Sequence, residues 1–166
     1  PHRARVLLEG SSRVRLPDGD VGEILGGSIR PYRDVILAGL AESPATWAWR
    51  EFAGAPYLWG GVTASGIDCS GLVQTTFLAR GVPLPRDARQ QVESGQVIEI
   101  AARREGDLLF FRGADSDRIT HVALQATGDE IVHSTVDTGR VTREPMIAGS
   151  RAAPLIERLV AVRRLT

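Results

Sequence analysis

A single cysteine is the most reactive side chain of the sequence. Cys69 follows Asp68, a residue type that caps helices, and precedes an apolar stripe at helical spacing. A helix N-terminus favours an anion, and beside an imidazolium it gives a cysteine a pKa of about 3.5–7.5. The pattern predicts a nucleophilic thiolate; the alternative is a small buried apolar residue. Nearby glycines at 60, 61, 66 and 71 are expected to let a substrate backbone approach.

Two of the three histidines are spaced to act together. His121 and His133 lie on consecutive predicted strands joined by residues 127–129. A three-residue loop makes them diagonal neighbours on one face, whereas a two-residue loop puts them on opposite faces. Beside a thiol, such a pair supplies a base, His121, and a residue that orients its ring, His133. Two alternatives stay open: polar strand residues facing water, and a metal site completed by an Asp. His2 is expected to be solvated.

The elements that position these residues form an α+β pattern, with helices before a run of strands. The expected architecture is a helix carrying the nucleophile, packed on an antiparallel sheet that carries the histidines and preceded by a small β segment. The helix of Cys69 ends at Gly81, and an earlier helix begins at Ser43 and Pro44 and ends at Gly54. The other predicted elements are strands at 5–9, 12–16 and 21–25 with a turn at 17–20, a helix at 31–41, and strands at 107–111, 121–126, 130–134 and 155–163.

Composition excludes several classes of protein. The 166 residues are 43% hydrophobic and 24% charged, which is typical of a folded domain, and no apolar run is long enough to span a membrane. Twenty basic and twenty acidic residues balance, so we expect no nucleic-acid partner. The sequence contains no lysine, which excludes Schiff-base and P-loop lysine chemistry, and its one cysteine excludes an internal disulfide. A chain that begins at Pro1 is expected to lack a leading segment, which leaves its location open between the cell envelope and the cytoplasm.

Six short sequence blocks surround the cysteine and the two histidines. They are PYLWGG at 56–61, DCSGLVQ at 68–74, LPRD at 84–87, GDLLFF at 106–111, HV at 121–122 and VHS at 132–134. In this order they resemble the NlpC-type cell-wall endopeptidases, which are papain-like cysteine peptidases of bacteria. The resemblance runs from about residue 45 to residue 164.

The resemblance implies roles for individual residues. Cys69, His121 and His133 form the catalytic triad that it implies. The hydroxyl of Tyr57 would help the backbone N–H of Cys69 to hold the oxyanion; the alternative for Tyr57 is a core aromatic residue with a satisfied hydroxyl. Trp59 is expected to serve in packing. We expect neither a cofactor nor a metal.

The resemblance also implies a substrate. The family cleaves peptidoglycan stem peptides, commonly between γ-D-glutamate and a diamino acid such as diaminopimelate. Members fused to bacterial SH3-like domains often require a free N-terminal L-alanine, whose ammonium group Asp68 and Ser70 would bind. Residues 1–44 resemble part of such an SH3-like β segment with a linker, and residues 45–166 the peptidase domain. Tyr32 is a candidate recognition residue by its position.

Two other functions stay open at this point. The first is a binding module instead of an enzyme: an NlpC-like domain that holds cell-wall fragments without cutting them. The same acyl-thioester chemistry would also serve an amidase or an acyltransferase. The expected partners are peptidoglycan stem peptides or released muropeptides, and the oligomeric state is left open.

Overall fold

A small antiparallel sheet lies at the N-terminal end of the computed structural model, which describes residues 6–16, 18–27 and 29–165. His2 and Pro17 therefore lie outside the described residues. The sheet consists of β1 (Leu7–Glu9), β2 (Arg13–Arg15) and β3 (Val21–Glu23), in that order. This confirms the predicted β segment. Its identification with part of an SH3-like domain, and the domain boundary after residue 44, stay predictions.

Two helices follow where the sequence predicts them. They are α1 (Tyr32–Leu40) and α2 (Pro44–Phe52). The Oγ of Ser43 accepts a hydrogen bond from the N–H of Thr46 at 3.1 Å, and a proline occupies the first turn. The chain leaves α2 through Gly54, whose φ of 73° is a conformation that favours glycine.

The predicted nucleophile helix is α3 (Cys69–Leu78). Its N-cap is Asp68, whose Oδ1 accepts a hydrogen bond from the N–H of Gly71 at 2.7 Å. The predicted end of the helix is also observed, since Gly81 follows it with a φ of 81°. The short elements around α3 were not predicted: a hairpin of β4 (Val62–Thr63) and β5 (Gly66–Ile67), and α4 (Ala88–Gln91).

The second half of the chain forms one six-stranded sheet. Its strand order is β10-β9-β8-β7-β11-β6, and every neighbouring pair is antiparallel. A 3-10 turn at Ile100–Ala102 and the short helix α5 (Ala153–Ile156) connect strands of this sheet. The strands are β6 (Gln96–Ile98), β7 (Leu108–Gly113), β8 (Ser116–Gln125), β9 (Glu130–Thr135), β10 (Arg140–Pro145) and β11 (Leu159–Arg164).

Some strand predictions differ from this sheet. Strands β6 and β10 were not predicted, and the predicted strand at 155–163 starts too early. Pro154 stands in the first turn of α5, so residues 155–158 finish a helical turn before β11 begins. The predicted strands at 107–111, 121–126 and 130–134 are confirmed as parts of β7, β8 and β9.

The core lies between the helices and one face of the large sheet. Leu72, Val73 and Phe77 of α3 are buried together with side chains of β7, β8 and β9. The expected packing of the nucleophile helix on the sheet is therefore confirmed. A second buried cluster, including Phe111 and Ala123, covers the opposite face. In the described part of the chain no helix is both long and apolar enough to cross a membrane.

Candidate active site

One cleft brings together the predicted nucleophile and both predicted histidines. Its volume is about 280 Å³, and Tyr57, Cys69, His121 and His133 all line it. Cys69 is half-buried at the first turn of α3. The backbone N–H of Val122, the residue after His121 on β8, faces the cysteine sulfur and lowers the pKa of the thiol. This contact joins the start of the helix to the strand that carries the predicted base.

The two histidines meet as the loop length predicts. Gln125 lies opposite Ile131, which is the register that a loop at 127–129 requires. Nε2 of His121 lies 2.8 Å from Nδ1 of His133, and the ring centroids are 5.1 Å apart. The predicted diagonal arrangement on one face is confirmed. Because Nε2 of His121 is used in this contact, Nδ1 is the ring nitrogen that stays available to another group in the cleft.

Glu144 extends the histidine pair and was not predicted from the sequence. Its Oε1 lies 2.8 Å from Nε2 of His133, whose side chain is only 3% exposed. The hydrogen bond from His133 lowers the pKa of Glu144 and outweighs the burial that raises it. Glu144 lies eleven positions beyond His133 on β10, and no local pattern distinguishes it from the other acidic residues.

Burial decides the charge states of Cys69 and His121. It raises the pKa of the Cys69 thiol, and the N–H groups of Val122, Ser70 and Cys69 lower that pKa by less. Burial, with a smaller effect of His133, lowers the pKa of His121 to about 3. The prediction of a low thiol pKa is therefore wrong for the free site, where both groups are neutral near pH 7. For Cys69 to act as the predicted nucleophile with His121 as its base, the thiol proton would have to move to His121 during the attack.

Tyr57 and Trp59 border the cleft on the loop before α3. Burial raises the pKa of the Tyr57 hydroxyl, and the nearby Cys69 and Asp68 raise it further. The hydroxyl therefore stays protonated and able to donate a hydrogen bond near the sulfur. Its role at the oxyanion stays a prediction. Trp59 is 84% exposed and lines the cleft, so the expectation that it serves in packing is wrong.

Asp68 and Ser70 lie beside the cysteine but already have protein partners. Both oxygens of Asp68 accept hydrogen bonds from Arg86, and the N–H groups of Gly60 and Gly71 donate to them at 2.7 Å. Arg86 also donates to Oγ of Ser70 at 2.9 Å. A substrate ammonium group would have to share these oxygens with Arg86, so the amine-binding role stays a prediction. Arg86 was not predicted as a site residue, although it belongs to the LPRD block at 84–87.

The glycines before the cysteine make room for the chain itself. A Cβ on Gly71 would lie 2.2 Å from the carbonyl oxygen of Gly61, and a Cβ on Gly61 would lie 2.3 Å from that of Gly66. The loop therefore packs directly on the first turn of α3. The expectation that substrate backbone fills these spaces is wrong at Gly61 and Gly71.

Tyr32 lies away from the cleft. Its hydroxyl donates a hydrogen bond to the backbone oxygen of Leu78 at 2.6 Å, at the C-terminal end of α3. Cys69 stands at the other end of this ten-residue helix, a helix length of about 15 Å away. Tyr32 is therefore not in the cleft, and its predicted role as a substrate-recognition residue is not supported.

The metal alternative is not supported by the arrangement of ligands. The ring nitrogens of His121 and His133 that face each other form a hydrogen bond. Across the described residues no group of three or more His, Cys, Asp or Glu side chains converges as a metal site.

Comparisons with known proteins place this site in a family. A profile described as the NlpC/P60 family matches residues 54–163. This range includes Tyr57, Cys69, both histidines and Glu144, which line the cleft. The probable endopeptidase NlpC of Escherichia coli K12 is 33% identical over 135 residues, covering 81% of this chain and 80% of the relative. The gamma-D-glutamyl-L-lysine dipeptidyl-peptidase of Bacillus subtilis is 42% identical over 84 residues, covering 50% of this chain. The murein DD-endopeptidase MepS/murein LD-carboxypeptidase of Escherichia coli K12 is 37% identical over 92 residues, or 55% of this chain.

The lengths of these proteins differ from that of the chain, which spans 28% of the Bacillus subtilis relative and 48% of the murein endopeptidase. Among solved structures, an NlpC/P60 family protein from Bacillus cereus aligns with a TM-score of 0.63 at 26% identity, covering 96% of this chain and 52% of that one. The NlpC/p60 domain of the peptidoglycan hydrolase SagA has the same fold, with a TM-score of 0.59 at 24% identity over 80% of this chain and 97% of that one. The profile match and the relative of similar length establish that the chain belongs to the NlpC/P60 family of cysteine peptidases.

Proposed function

We propose that the protein is a cysteine peptidase that hydrolyses the amide bond between γ-D-glutamate and the diamino acid of peptidoglycan stem peptides. The observation that carries the proposal is the chain of hydrogen bonds from Glu144 through His133 to His121, beside a cysteine at a helix start. Such a chain orients a base toward a nucleophile. The names of the relatives, which act on γ-D-glutamyl or murein bonds, support this substrate class.

The proposed reaction uses groups that line the cleft. Nδ1 of His121 accepts the thiol proton as the sulfur of Cys69 attacks the γ-carbonyl carbon. The N–H of Cys69, which has no partner within its helix, and the hydroxyl of Tyr57 stabilise the resulting oxyanion. His121 then gives its proton to the leaving amine, and a thioester forms. Water, deprotonated by His121, hydrolyses the thioester and restores the thiol.

The leaving diamino acid is expected on the histidine side of the cleft, because His121 must reach its nitrogen. Three arginines line this cleft: Arg112, Arg151 and Arg158. The N–H of Arg112 donates to the backbone oxygen of Arg158 at 3.0 Å, so these two lie on adjacent chain segments at the end of β7. Guanidinium groups bind carboxylates through paired hydrogen bonds. These cleft arginines therefore favour diaminopimelate, whose side chain ends in a carboxylate, over lysine, whose side chain ends in an ammonium group.

The requirement for a free N-terminal L-alanine is part of the proposal. Ser70 and Asp68 offer the acceptors closest in sequence to the nucleophile, and Arg86 competes for them. A charge-assisted hydrogen bond is worth about 1.5–3 kcal/mol, or roughly ten- to two-hundred-fold in kcat/KM. An acetylated substrate loses that bond and also brings added bulk.

Product analysis by liquid chromatography and mass spectrometry tests the proposal. The substrates are L-Ala-γ-D-Glu-diaminopimelate, its N-acetyl derivative and the matching lysine tripeptide, each with Cys69→Ala as the control enzyme. We expect the dipeptide L-Ala-γ-D-Glu and free diaminopimelate from the first substrate, with slower cleavage of the other two. Arg158→Gln should lower the ratio of kcat/KM for the diaminopimelate substrate to that for the lysine substrate. Arg118 is an exposed arginine on β8, and Arg118→Gln should leave that ratio unchanged. Intact tripeptide after prolonged incubation with folded enzyme would contradict the proposal.

A second candidate function is cleavage of the cross-link between two stem peptides. It is supported by the similarity to the murein DD-endopeptidase over 55% of this chain. The same cysteine mechanism applies, but the scissile bond is a different amide. Cross-linked muropeptide dimers therefore belong in the same assay, and conversion of dimers to monomers with the tripeptide untouched would favour this second function. Products lengthened by an added amine would indicate an acyltransferase.

A further inference from the structure

Glu144 ends the chain of hydrogen bonds, and the proposed reaction steps assign it no task. It lies on β10 two residues beyond Thr142, the residue directly opposite His133, so its side chain is a diagonal neighbour of His133 on the same face. The Glu144 side chain is 13% exposed, and its second oxygen lies 3.9 Å from Nε of Arg151. A nearly buried carboxylate is thus held against a buried imidazole.

The chemistry of a carboxylate fixes where the hydrogens lie. An ionised carboxylate only accepts hydrogen bonds, so Nε2 of His133 must carry a hydrogen. When the His133 ring carries only this hydrogen, its Nδ1 is an acceptor, and Nε2 of His121 must donate to it. His121 is neutral, so its Nδ1 carries no hydrogen. The direction of both hydrogen bonds therefore follows from the carboxylate of Glu144, which can only accept.

We propose that Glu144 is a positioning residue that holds His133 in the tautomer with its hydrogen on Nε2, so that His121 presents a bare Nδ1 to Cys69. In the other neutral tautomer the lone pair on Nε2 of His133 would face the carboxylate of Glu144. The hydrogen on Nδ1 of His133 would then point at Nε2 of His121, which would have to accept it. His121 would then carry its hydrogen on Nδ1 and could not accept the thiol proton. The catalytic part of this inference rests on the proposed hydrolysis, whereas the tautomers exist without substrate.

Glutamine at position 144 is the informative variant. Its amide nitrogen can donate to Nε2 of His133 and stabilise the unproductive tautomer, which a carboxylate cannot do. For Glu144→Gln we expect kcat to fall by about ten- to a hundred-fold, the equivalent of one hydrogen bond to a charged group. KM should change by less than kcat, because the hydrogen bond of Glu144 is to His133, and Arg151 lies 3.9 Å from its other oxygen. Glu144→Asp keeps the charge and should recover part of the lost kcat.

A matched control is present on the same two strands. Glu130 of β9 is ion-paired with Arg143 of β10 and has no hydrogen bond to either histidine. Glu130→Gln therefore removes a carboxylate of the same type from the same part of the sheet. We expect its kcat and KM to match those of the wild type. A fall in kcat of equal size in both variants would show that Glu144 acts only through the stability of the sheet.

Long-range ¹H–¹⁵N spectra of histidine-labelled protein read the tautomers directly, and only three histidines need assignment. In the wild type we expect the hydrogen on Nε2 of both His121 and His133, and in Glu144→Gln a shift toward Nδ1. A hydrogen on Nδ1 of His121 in the wild type, or identical tautomers in both proteins, would overturn the proposal. Should Glu144→Gln not fold, the wild-type spectrum and Glu144→Asp still decide it: Glu144→Asp must keep the wild-type tautomers. No substrate enters these spectra, so a failure of the proposed hydrolysis is seen separately.

Discussion

Replacing Arg86 with alanine is expected to destabilise the fold by about 2–3 kcal/mol, because it leaves the Asp68 carboxylate buried without its counter-charge. The Asp68 side chain is 8% exposed and the Arg86 side chain 32%. Removing one partner of a buried ion pair costs about 3–5 kcal/mol. The N–H groups of Gly60 and Gly71 still bind the carboxylate in the variant, which places the expected loss below that range. For a chain of this length the melting temperature should fall by about 4–12 °C.

The effect should depend on pH in a defined direction. Burial alone raises the pKa of Asp68, but the hydrogen bonds from Arg86, Gly71 and Gly60 lower it by more. The pKa in the folded protein is therefore below that of the unfolded chain. The stabilisation is complete above the ordinary carboxyl pKa of about 4 and is lost as the pH falls through the lowered value. The difference in stability between wild type and Arg86→Ala should accordingly shrink in acid.

Denaturant unfolding followed by circular dichroism at pH 7, and calorimetry across the acid range, measure this prediction. Arg89→Ala is the matched control, since Arg89 is 75% exposed and lies 3.5 Å from the exposed Asp87. Such surface pairs contribute about 0–1 kcal/mol. A loss for Arg86→Ala no larger than the loss for Arg89→Ala would refute the buried-pair argument. So would a difference from wild type that grows as the pH is lowered.

Three further predictions concern the cleft. Gly71→Ala should lower kcat by about tenfold or more and destabilise the fold by about 1–3 kcal/mol, because its Cβ would meet a backbone oxygen at 2.2 Å. Gly26→Ala, with open space around it, should leave both kcat and stability unchanged. Activity assays and denaturant unfolding measure both variants. His133→Ala should lose less kcat than His121→Ala, because in the proposed mechanism His133 orients the base and His121 transfers the proton; equal losses would leave these roles unsupported. The rate of iodoacetamide alkylation of Cys69 should rise with pH, with a midpoint above that of an exposed thiol, because burial raises its pKa and His121, with a pKa of about 3, is uncharged. A plateau from about pH 5 to 8 would instead indicate a thiolate paired with an imidazolium.

The parts of the site that the sequence predicts are those set by local rules. Asp68 caps α3 because a short acidic side chain just before a helix can accept a hydrogen bond from a free N–H of the first turn. The pairing of His121 with His133 follows from a loop of three residues and the alternation of side chains along a strand. Both inferences need only residues close in the chain, and both hold in the structure.

The parts that the sequence does not predict depend on contacts between distant residues. Arg86 is one of twenty basic residues, all arginines, and nothing local identifies it as the partner of Asp68. Glu144 is equally indistinct among twenty acidic residues. The thiol pKa was mispredicted for a related reason: the helix start is a local feature, but burial of Cys69 depends on the whole sheet packing against α3. Strand β6 pairs with β11, far along the chain, so its three residues gave no local signal.

The release of diaminopimelate from L-Ala-γ-D-Glu-diaminopimelate by folded Cys69→Ala protein tests the central claim most directly. Cys69 is half-buried and its substitution removes a single sulfur atom, so circular dichroism and the melting temperature should stay close to those of the wild type. With the proposed nucleophile gone, we predict that the rate falls by roughly a thousandfold or more. A folded variant that releases diaminopimelate within about tenfold of the wild-type rate would contradict the cysteine mechanism.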